Sequence, residues 1–199
     1  MLSWLPQTTQ TELTALAQRY GQPLVEVVDL GTSNHFDPLS NTDRYGEVCM
    51  VLRRKNGRLL TMKKTFYPTN AYRLLTGGIH HGEKVFDALL RETQEETSLE
   101  VSIERFLAVA AYKTTTTGET PAFYTFAFLL NEVAGTLNVL DEDENVEGFR
   151  EILPAELLER AEFLENIHDH YSRSIAGDWR DWGHFRAVMH RMVWQALSH

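Results

Sequence analysis

The sequence is poor in cysteine, in long apolar runs and in basic residues. Cys49 is its only cysteine, which excludes a disulfide within the chain, and no apolar run approaches the roughly 20 residues that cross a bilayer. Because the first residues also lack a basic start followed by an apolar segment, we expect a cytoplasmic protein. Lysine and arginine number 19 against 28 aspartates and glutamates, and the net charge of -9 argues against a general nucleic-acid-binding surface.

Acidic residues are absent between Val51 and Gly82, and the same stretch contains seven cations: Arg53, Arg54, Lys55, Arg58, Lys63, Lys64 and Arg73. An acidic segment follows directly. Basic groups beside clustered carboxylates suit an anionic ligand that is held through a metal ion. For the four cations from Arg53 to Arg58, solvation of a hairpin is an equally good interpretation.

Hydrophobic periodicity and turn residues predict a mixture of strands and helices. An Asn-Gly pair at residues 56–57 stands between two apolar runs, which is a strong hairpin signal. The predicted helices cover residues 8–20, 84–97 and much of the chain from 154 onward, and the predicted strands cover residues 24–30, 47–54, 58–64, 100–112, 122–133 and 149–153. This mixed order favours an α+β or α/β sandwich.

An acidic stripe marks the predicted helix over residues 84–97. Glu92, Glu95 and Glu96 are spaced i, i+3 and i+4, so they share about a third of the helix circumference. Repulsion between exposed like charges at this spacing costs only a few tenths of a kcal/mol per pair. A solvated helix face is therefore one interpretation of the stripe, and a site for a cation is the other.

The loop before this helix favours the cation site. Gly77, Gly78 and Gly82 free the backbone for close approach just ahead of a helix N-terminus, and Glu83 adds a further carboxylate. A site made of such oxygens suits Mg²⁺ or Mn²⁺, which also take water and phosphate oxygens as ligands. Arg91 precedes the cluster and is placed to orient a glutamate through a bidentate pair.

The whole stretch from Gly77 to Leu99 resembles the Nudix box. Gly77 is followed after five residues by Glu83, and after seven more by RETQEETSL, so that every charged position of the family pattern is matched. Two positions depart from it: Thr93 stands where an aliphatic residue is usual, and Ser98 replaces the glycine that normally ends the helix.

The resemblance implies the Nudix fold, an α+β fold in which a mixed sheet lies between helices as an α/β/α sandwich. It also implies the hydrolysis of a nucleoside diphosphate linked to another moiety, with Mg²⁺ or Mn²⁺ as cofactor. It implies metal binding by Glu92, Glu95 and Glu96, of which Glu95 and Glu96 are also catalytic candidates. By the same resemblance Glu83 supports the metal shell, Arg91 fixes a catalytic glutamate, and the carbonyl of Gly77 contacts the metal. His80 and His81 stand where a loop glutamate is common, but exposed loop histidines are the simpler interpretation.

The general base varies among relatives, and it can come from a later loop. Glu144 and Glu147 occupy that region here, although an acidic surface turn would look the same. Substrate contacts are expected from Lys63, Lys64 and Arg73, as cations for phosphate. Aromatic contacts to a base or sugar are expected from Tyr67 and Tyr112, although an aromatic residue in a strand more often belongs to the core.

We divide the chain into an N-terminal extension (residues 1–43), the Nudix domain (44–157) and a C-terminal helical extension (158–199). The tryptophans of the last segment predict packing against the domain or against a second copy in a homodimer. The expected partner is a small nucleoside diphosphate derivative, with no nucleic acid and no membrane. A ligand-sensing Nudix module without catalysis is the alternative function, while an RNA-directed role is disfavoured by the net charge.

Overall fold

The computed structural model describes residues 3–33, 36, 38–39, 42–139 and 145–198. Its helices there are α1 (Gln7–Tyr20), α2 (Val85–Thr97), α3 (Leu157–Glu165) and α4 (Trp179–Leu197). Its strands there are β1 (Leu24–Asp29), β2 (Arg44–Arg53), β3 (Leu59–Lys64), β4 (Arg73–His80), β5 (Leu99–Lys113), β6 (Phe123–Gly135), β7 (Val146–Ile152), β8 (Tyr171–Ser172) and β9 (Gly177–Asp178). In these described ranges no helix combines the length and the hydropathy needed to cross a membrane.

Seven strands form one mixed sheet in the order β1-β5-β6-β2-β4-β3-β7. The pairs β1–β5 and β6–β2 are parallel, and the other neighbours are antiparallel. β2 and β3 pair directly only next to the predicted turn, where Arg53 pairs with Leu59. Farther from the turn, β4 lies between these two strands. The chain before the box therefore builds the centre of the sheet, and β4 leads directly into the box helix α2.

The sheet separates two hydrophobic cores, which confirms the predicted α+β sandwich. Alternate residues of β2 belong to opposite cores: Val48 and Met50 pack with α1 and α2, whereas Cys49 and Val51 pack with α3 and α4. All four of these side chains are fully buried. A strand buried on both faces reads as a continuous apolar run, which is what β2 shows from Val48 to Leu52.

Both extensions are integrated into this sandwich. β1 pairs in parallel with β5, and α1 packs in the same core as the box helix. On the other face, Trp179, Trp182 and Phe185 of α4 are buried against the sheet. The predicted domain boundaries remain predictions, but the extensions pack on the same sheet as the central region.

Ser98 ends the box helix in the left-handed conformation, with φ of 57°. Its N–H donates to the Gln94 carbonyl (2.9 Å), and its hydroxyl donates to the Asn138 carbonyl (3.0 Å). A non-glycine residue is strained in this region, and the two hydrogen bonds compensate for that strain. The departure from the family's glycine thus leaves the helix terminus intact.

Candidate active site

Arg91 is the centre of the box. Its Nε donates to Glu83 Oε1 (2.9 Å) and its Nη2 to Glu83 Oε2 (2.9 Å), which makes a bidentate pair. Nη1 reaches Glu92 Oε1 (2.8 Å) and Glu95 Oε2 (3.0 Å), while Nη2 also reaches the Gly78 carbonyl (3.0 Å). One guanidinium therefore fixes the loop, the end of β4 and two of the three helix carboxylates.

Arg91 and Glu83 shift each other's pKa. The hydrogen bond to Glu83 is the main reason that the pKa of Arg91 is raised. Burial pushes the pKa of Glu83 upward, but the hydrogen bonds from Arg91 and from the His80 N–H outweigh it, so that this pKa is lowered. Both groups therefore stay charged at neutral pH.

The three helix carboxylates differ in how far they are buried. Glu92 is 6% exposed and Glu96 is 0% exposed, whereas Glu95 is partly open to solvent. The interpretation of the stripe as a solvated face therefore fails for two of its three members. A carboxylate is expensive to bury unless it is paired or coordinates a metal, so this placement favours the interpretation as a site.

Gly77 allows Glu92 to lie against the strand. A Cβ added at Gly77 would stand 2.1 Å from Cδ of Glu92, which is closer than real atoms approach. The absence of a side chain on β4 is thus what lets the carboxylate of α2 sit over the strand backbone.

We expect Gly77→Ala to reduce kcat/KM by about 10²-fold, because the added methyl displaces the Glu92 carboxylate by an ångström or more. The measurement is steady-state hydrolysis in the presence of Mg²⁺. Gly148→Ala is the matched control, since its Cβ would meet nothing closer than the Tyr72 hydroxyl at 4.0 Å. Equal activity of the two variants would show that the contact with Glu92 is unimportant.

The donor set of the box fits a hard divalent cation in type. It consists of the carboxylates of Glu83, Glu92, Glu95 and Glu96 and the backbone carbonyls at the end of β4. Within the described residues no three such side chains are arranged as a ready-made metal site, and three of the carboxylates bind Arg91. The residues present therefore match Mg²⁺ or Mn²⁺ in chemistry, and α2 carries three of the four carboxylates.

The predicted later carboxylate Glu147 lies on β7 and forms an ion pair with Lys63. Lys63 is buried and Glu147 is half exposed. Because β7 is two strands away from β4, its backbone lies about 10 Å from that strand. The structure thus joins two predicted site residues to each other. Glu144 lies outside the described residues, and Lys64 is partly buried at the end of β3, where it pairs with Val146 of β7.

Arg73 is placed inside the protein, at 2% exposure. Its Nε and Nη2 donate to the Tyr67 hydroxyl (3.3 and 3.2 Å), and its Nη1 donates to the Leu74 carbonyl (2.7 Å). Tyr67 and Tyr112 are core residues as well, packed against Trp182 and Phe185 respectively. A guanidinium bonded in this way does not fit the predicted phosphate contact, because α4 covers it.

The sequence did not predict a buried ion pair between Glu47 of β2 and Arg186 of α4. Arg186 Nη1 on α4 donates to Glu47 Oε1 (2.8 Å), to Glu47 Oε2 (2.9 Å) and to Thr76 Oγ1 (3.1 Å). Glu47 is 4% exposed and pairs in register with Gly78. The only signals were one carboxylate in an otherwise apolar strand and one arginine on an apolar helix face.

His190 of α4 lies one turn after Arg186 and contacts the backbone of β4. It accepts a hydrogen bond from the Leu74 N–H at Nε2 (3.2 Å), and its Nδ1 lies 2.8 Å from the Arg186 carbonyl. Burial, which is complete here, lowers its pKa to about 4. The ring is therefore neutral, with the proton on Nδ1.

The free energy of unfolding should fall as pH decreases from about 6.5 to 4, by up to about 3 kcal/mol. The unfolded chain takes up a proton on His190 in this window and the folded chain does not, so acid favours the unfolded chain. Denaturant titrations at several pH values measure the free energy of unfolding of the wild type and of His190→Gln. The difference between the two proteins should become smaller as the pH is lowered. His168→Gln, at an exposed position, should leave the wild-type curve unchanged; parallel curves for all three proteins would contradict the assignment.

The loop histidines His80 and His81 and the histidines of the His-Asp-His sequence at residues 168–170 lie at different places on the surface. His80 is exposed, and His81 approaches the Thr42 carbonyl (3.1 Å) at the rim of a cleft of about 630 Å³ between the box loop and α1. His168 and His170 are exposed just after α3. The exposure of His80 and His81 agrees with their interpretation as exposed loop histidines.

The model of the NUDIX domain matches residues 44–174, about two thirds of the sequence. The chain therefore belongs to the Nudix family and is a hydrolase that acts on phosphoric anhydride bonds. None of the curated proteins matches the sequence.

Several solved structures are similar at low identity. An ADP-ribose pyrophosphatase from Streptococcus suis is 13% identical with a TM-score of 0.46, covering 77% of this chain and 92% of its own. A UDP-X diphosphatase is 14% identical with a TM-score of 0.49, covering 81% and 67%. The Ap4A hydrolase of C. elegans is 17% identical with a TM-score of 0.46, covering 59% and 86%.

Proposed function

We propose that the chain is a Mg²⁺- or Mn²⁺-dependent enzyme that cleaves the diphosphate linkage of a nucleoside diphosphate derivative. The substrate classes in view are ADP-ribose, nucleotide sugars and modified nucleoside triphosphates. The single observation that carries the proposal is the set of three carboxylates on α2, of which Glu92 and Glu96 are buried and Glu92 and Glu95 are held by Arg91. The proposal includes a cytoplasmic location and a small-molecule partner.

The metal would be held by Glu92, Glu95 and Glu96, with Glu83 and the Gly77 carbonyl in support. When bound, a divalent cation neutralises pyrophosphate charge and lowers the pKa of a water that attacks phosphorus. The role of Arg91 is orientation: it holds one oxygen each of Glu92 and Glu95 and both oxygens of Glu83. The carboxylates of Glu92 and Glu95 are thereby held in a fixed direction.

A base is needed to take the proton from the attacking water, and Glu147 is our candidate. Its carboxylate is half exposed and lies on β7, across β3 from the box strand. Lys63 holds it in place through the ion pair. Glu144 is the second candidate for the base.

The test is turnover on a panel of ADP-ribose, UDP-glucose and oxidised nucleoside triphosphates with Mg²⁺, measured as release of phosphate or nucleotide. Glu95→Gln and Glu96→Gln should each lose most of the activity. Glu100→Gln is the control, because Glu100 is exposed one residue past the box. Tight binding of one panel member with no turnover would instead support a ligand-sensing module. Turnover that survives both box substitutions would contradict the proposed metal site.

A further inference from the structure

The box helix α2 begins without a cap of its own. Lys84, the residue before it, is extended, with φ of -78° and ψ of 145°, and its side chain forms no capping hydrogen bond. The first N–H groups of a helix have no partner inside the helix, so they need an acceptor from elsewhere. At α2 that acceptor comes from a helix more than 70 residues earlier in the chain.

Glu12 of α1 supplies it. Its Oε1 accepts from the Phe86 N–H (2.9 Å) and its Oε2 accepts from the Val85 N–H (3.2 Å). Both oxygens are used, and the negative charge faces the positive end of the α2 dipole. Glu12 is itself held firmly, because Leu13 and Leu16 of α1 are buried in the same core as α2.

The capped residues directly follow the loop that joins β4 to α2. Glu83 stands two residues before Val85, and its Oε2 accepts from both the His80 N–H (3.1 Å) and Arg91 Nη2 (2.9 Å). The bond between Glu83 and Arg91 therefore spans the loop–helix junction that Glu12 fixes. If the first turn of α2 frays, that bond has to bridge a mobile junction, and Arg91 loses the anchor that orients Glu92 and Glu95.

We propose that Glu12 is a positioning residue for the Nudix box, which it reaches from outside the family-matched region by capping α2. Its effect passes through the α2 N-terminus to the Glu83–Arg91 pair and from there to the helix carboxylates. Only the consequence for metal binding rests on the proposed function. The geometric part stands on the hydrogen bonds of Glu12 and Arg91 alone.

The experiment uses the full chain with Glu12→Ala and Glu12→Gln, and Glu26→Gln as the control at an exposed position of the N-terminal extension. Amide hydrogen exchange at Val85 and Phe86 should be about 5- to 30-fold faster in Glu12→Ala, the loss typical of a removed cap. Glu12→Gln keeps one acceptor oxygen and should lie between. Glu26→Gln should match the wild type.

Two further readouts separate positioning from helix stability alone. The Nε–H signal of Arg91 in NMR spectra should exchange faster with water in Glu12→Ala, and Mn²⁺ affinity measured by paramagnetic resonance should fall about 3- to 10-fold. Faster exchange at Val85 with unchanged Arg91 signal and Mn²⁺ affinity would overturn the proposal. Unchanged exchange at Val85 would overturn it as well. If the wild type binds no Mn²⁺, the proposed metal site fails, and the Arg91 signal still decides the role of Glu12.

Discussion

Glu96→Gln is expected to lower kcat/KM by about 10²- to 10³-fold while the protein stays folded. Glu96 is 0% exposed and lies one turn beyond Glu92 on α2. The substitution keeps the shape of the side chain and removes one negative charge, so the site loses part of the charge that would hold a divalent cation. Steady-state kinetics at several Mg²⁺ concentrations measure the loss, and circular dichroism checks the fold.

The Mg²⁺ dependence gives this prediction its specificity. If Glu96 contributes to the metal site, the variant should need a higher Mg²⁺ concentration for half-maximal activity than the wild type does. Glu100→Gln, an identical change at an exposed position, should leave both kcat/KM and the Mg²⁺ requirement unchanged. Activity of Glu96→Gln within twofold of the wild type would remove Glu96 from the site.

Arg186→Met is expected to destabilise the protein by about 3–5 kcal/mol, because it leaves the Glu47 carboxylate buried without its guanidinium. For a chain of 199 residues this corresponds to a fall in Tm of roughly 6–20 °C. The double variant with Glu47→Gln and Arg186→Met should recover most of the loss, since no charge then remains to be buried. Denaturant unfolding of the single and double variants gives the comparison.

The control for this prediction lies on the same helix. Arg191 pairs with Glu165 (3.1 Å from Nε to Oε1), but both side chains are partly exposed. Arg191→Met should therefore cost less than about 1 kcal/mol. If the double variant were as unstable as Arg186→Met alone, the loss would come from packing around the arginine and the buried-charge explanation would fail.

The parts of the molecule that the sequence predicted well are those set by local spacing. The box helix, expected over residues 84–97, runs from Val85 to Thr97, and the i, i+3, i+4 glutamates do lie together on it. The hairpin around the Asn-Gly turn was also local, but its continuation was not. β4 lies between β2 and β3 in the sheet. Pairing between distant strands depends on which faces are buried, and a short stretch of sequence does not show this.

The residues that could not be predicted depend on the C-terminal helix. Arg73 was expected to face phosphate, yet α4 covers the sheet where it lies, with Trp182 packed against its partner Tyr67. Glu47 and Arg186 are 139 residues apart, so their pairing follows from where α4 docks. Glu12 is similar in kind, since a carboxylate on α1 gives no sign in the sequence that it caps another helix.

The most direct test of the central claim is hydrolysis of the nucleoside diphosphate panel by protein freed of metal with a chelator, before and after Mg²⁺ is returned. The account predicts no turnover in the chelator and restored turnover with Mg²⁺ in the wild type, with little restoration in Glu95→Gln or Glu96→Gln. Equal turnover in chelator and in Mg²⁺, or full restoration in the two variants, would contradict it.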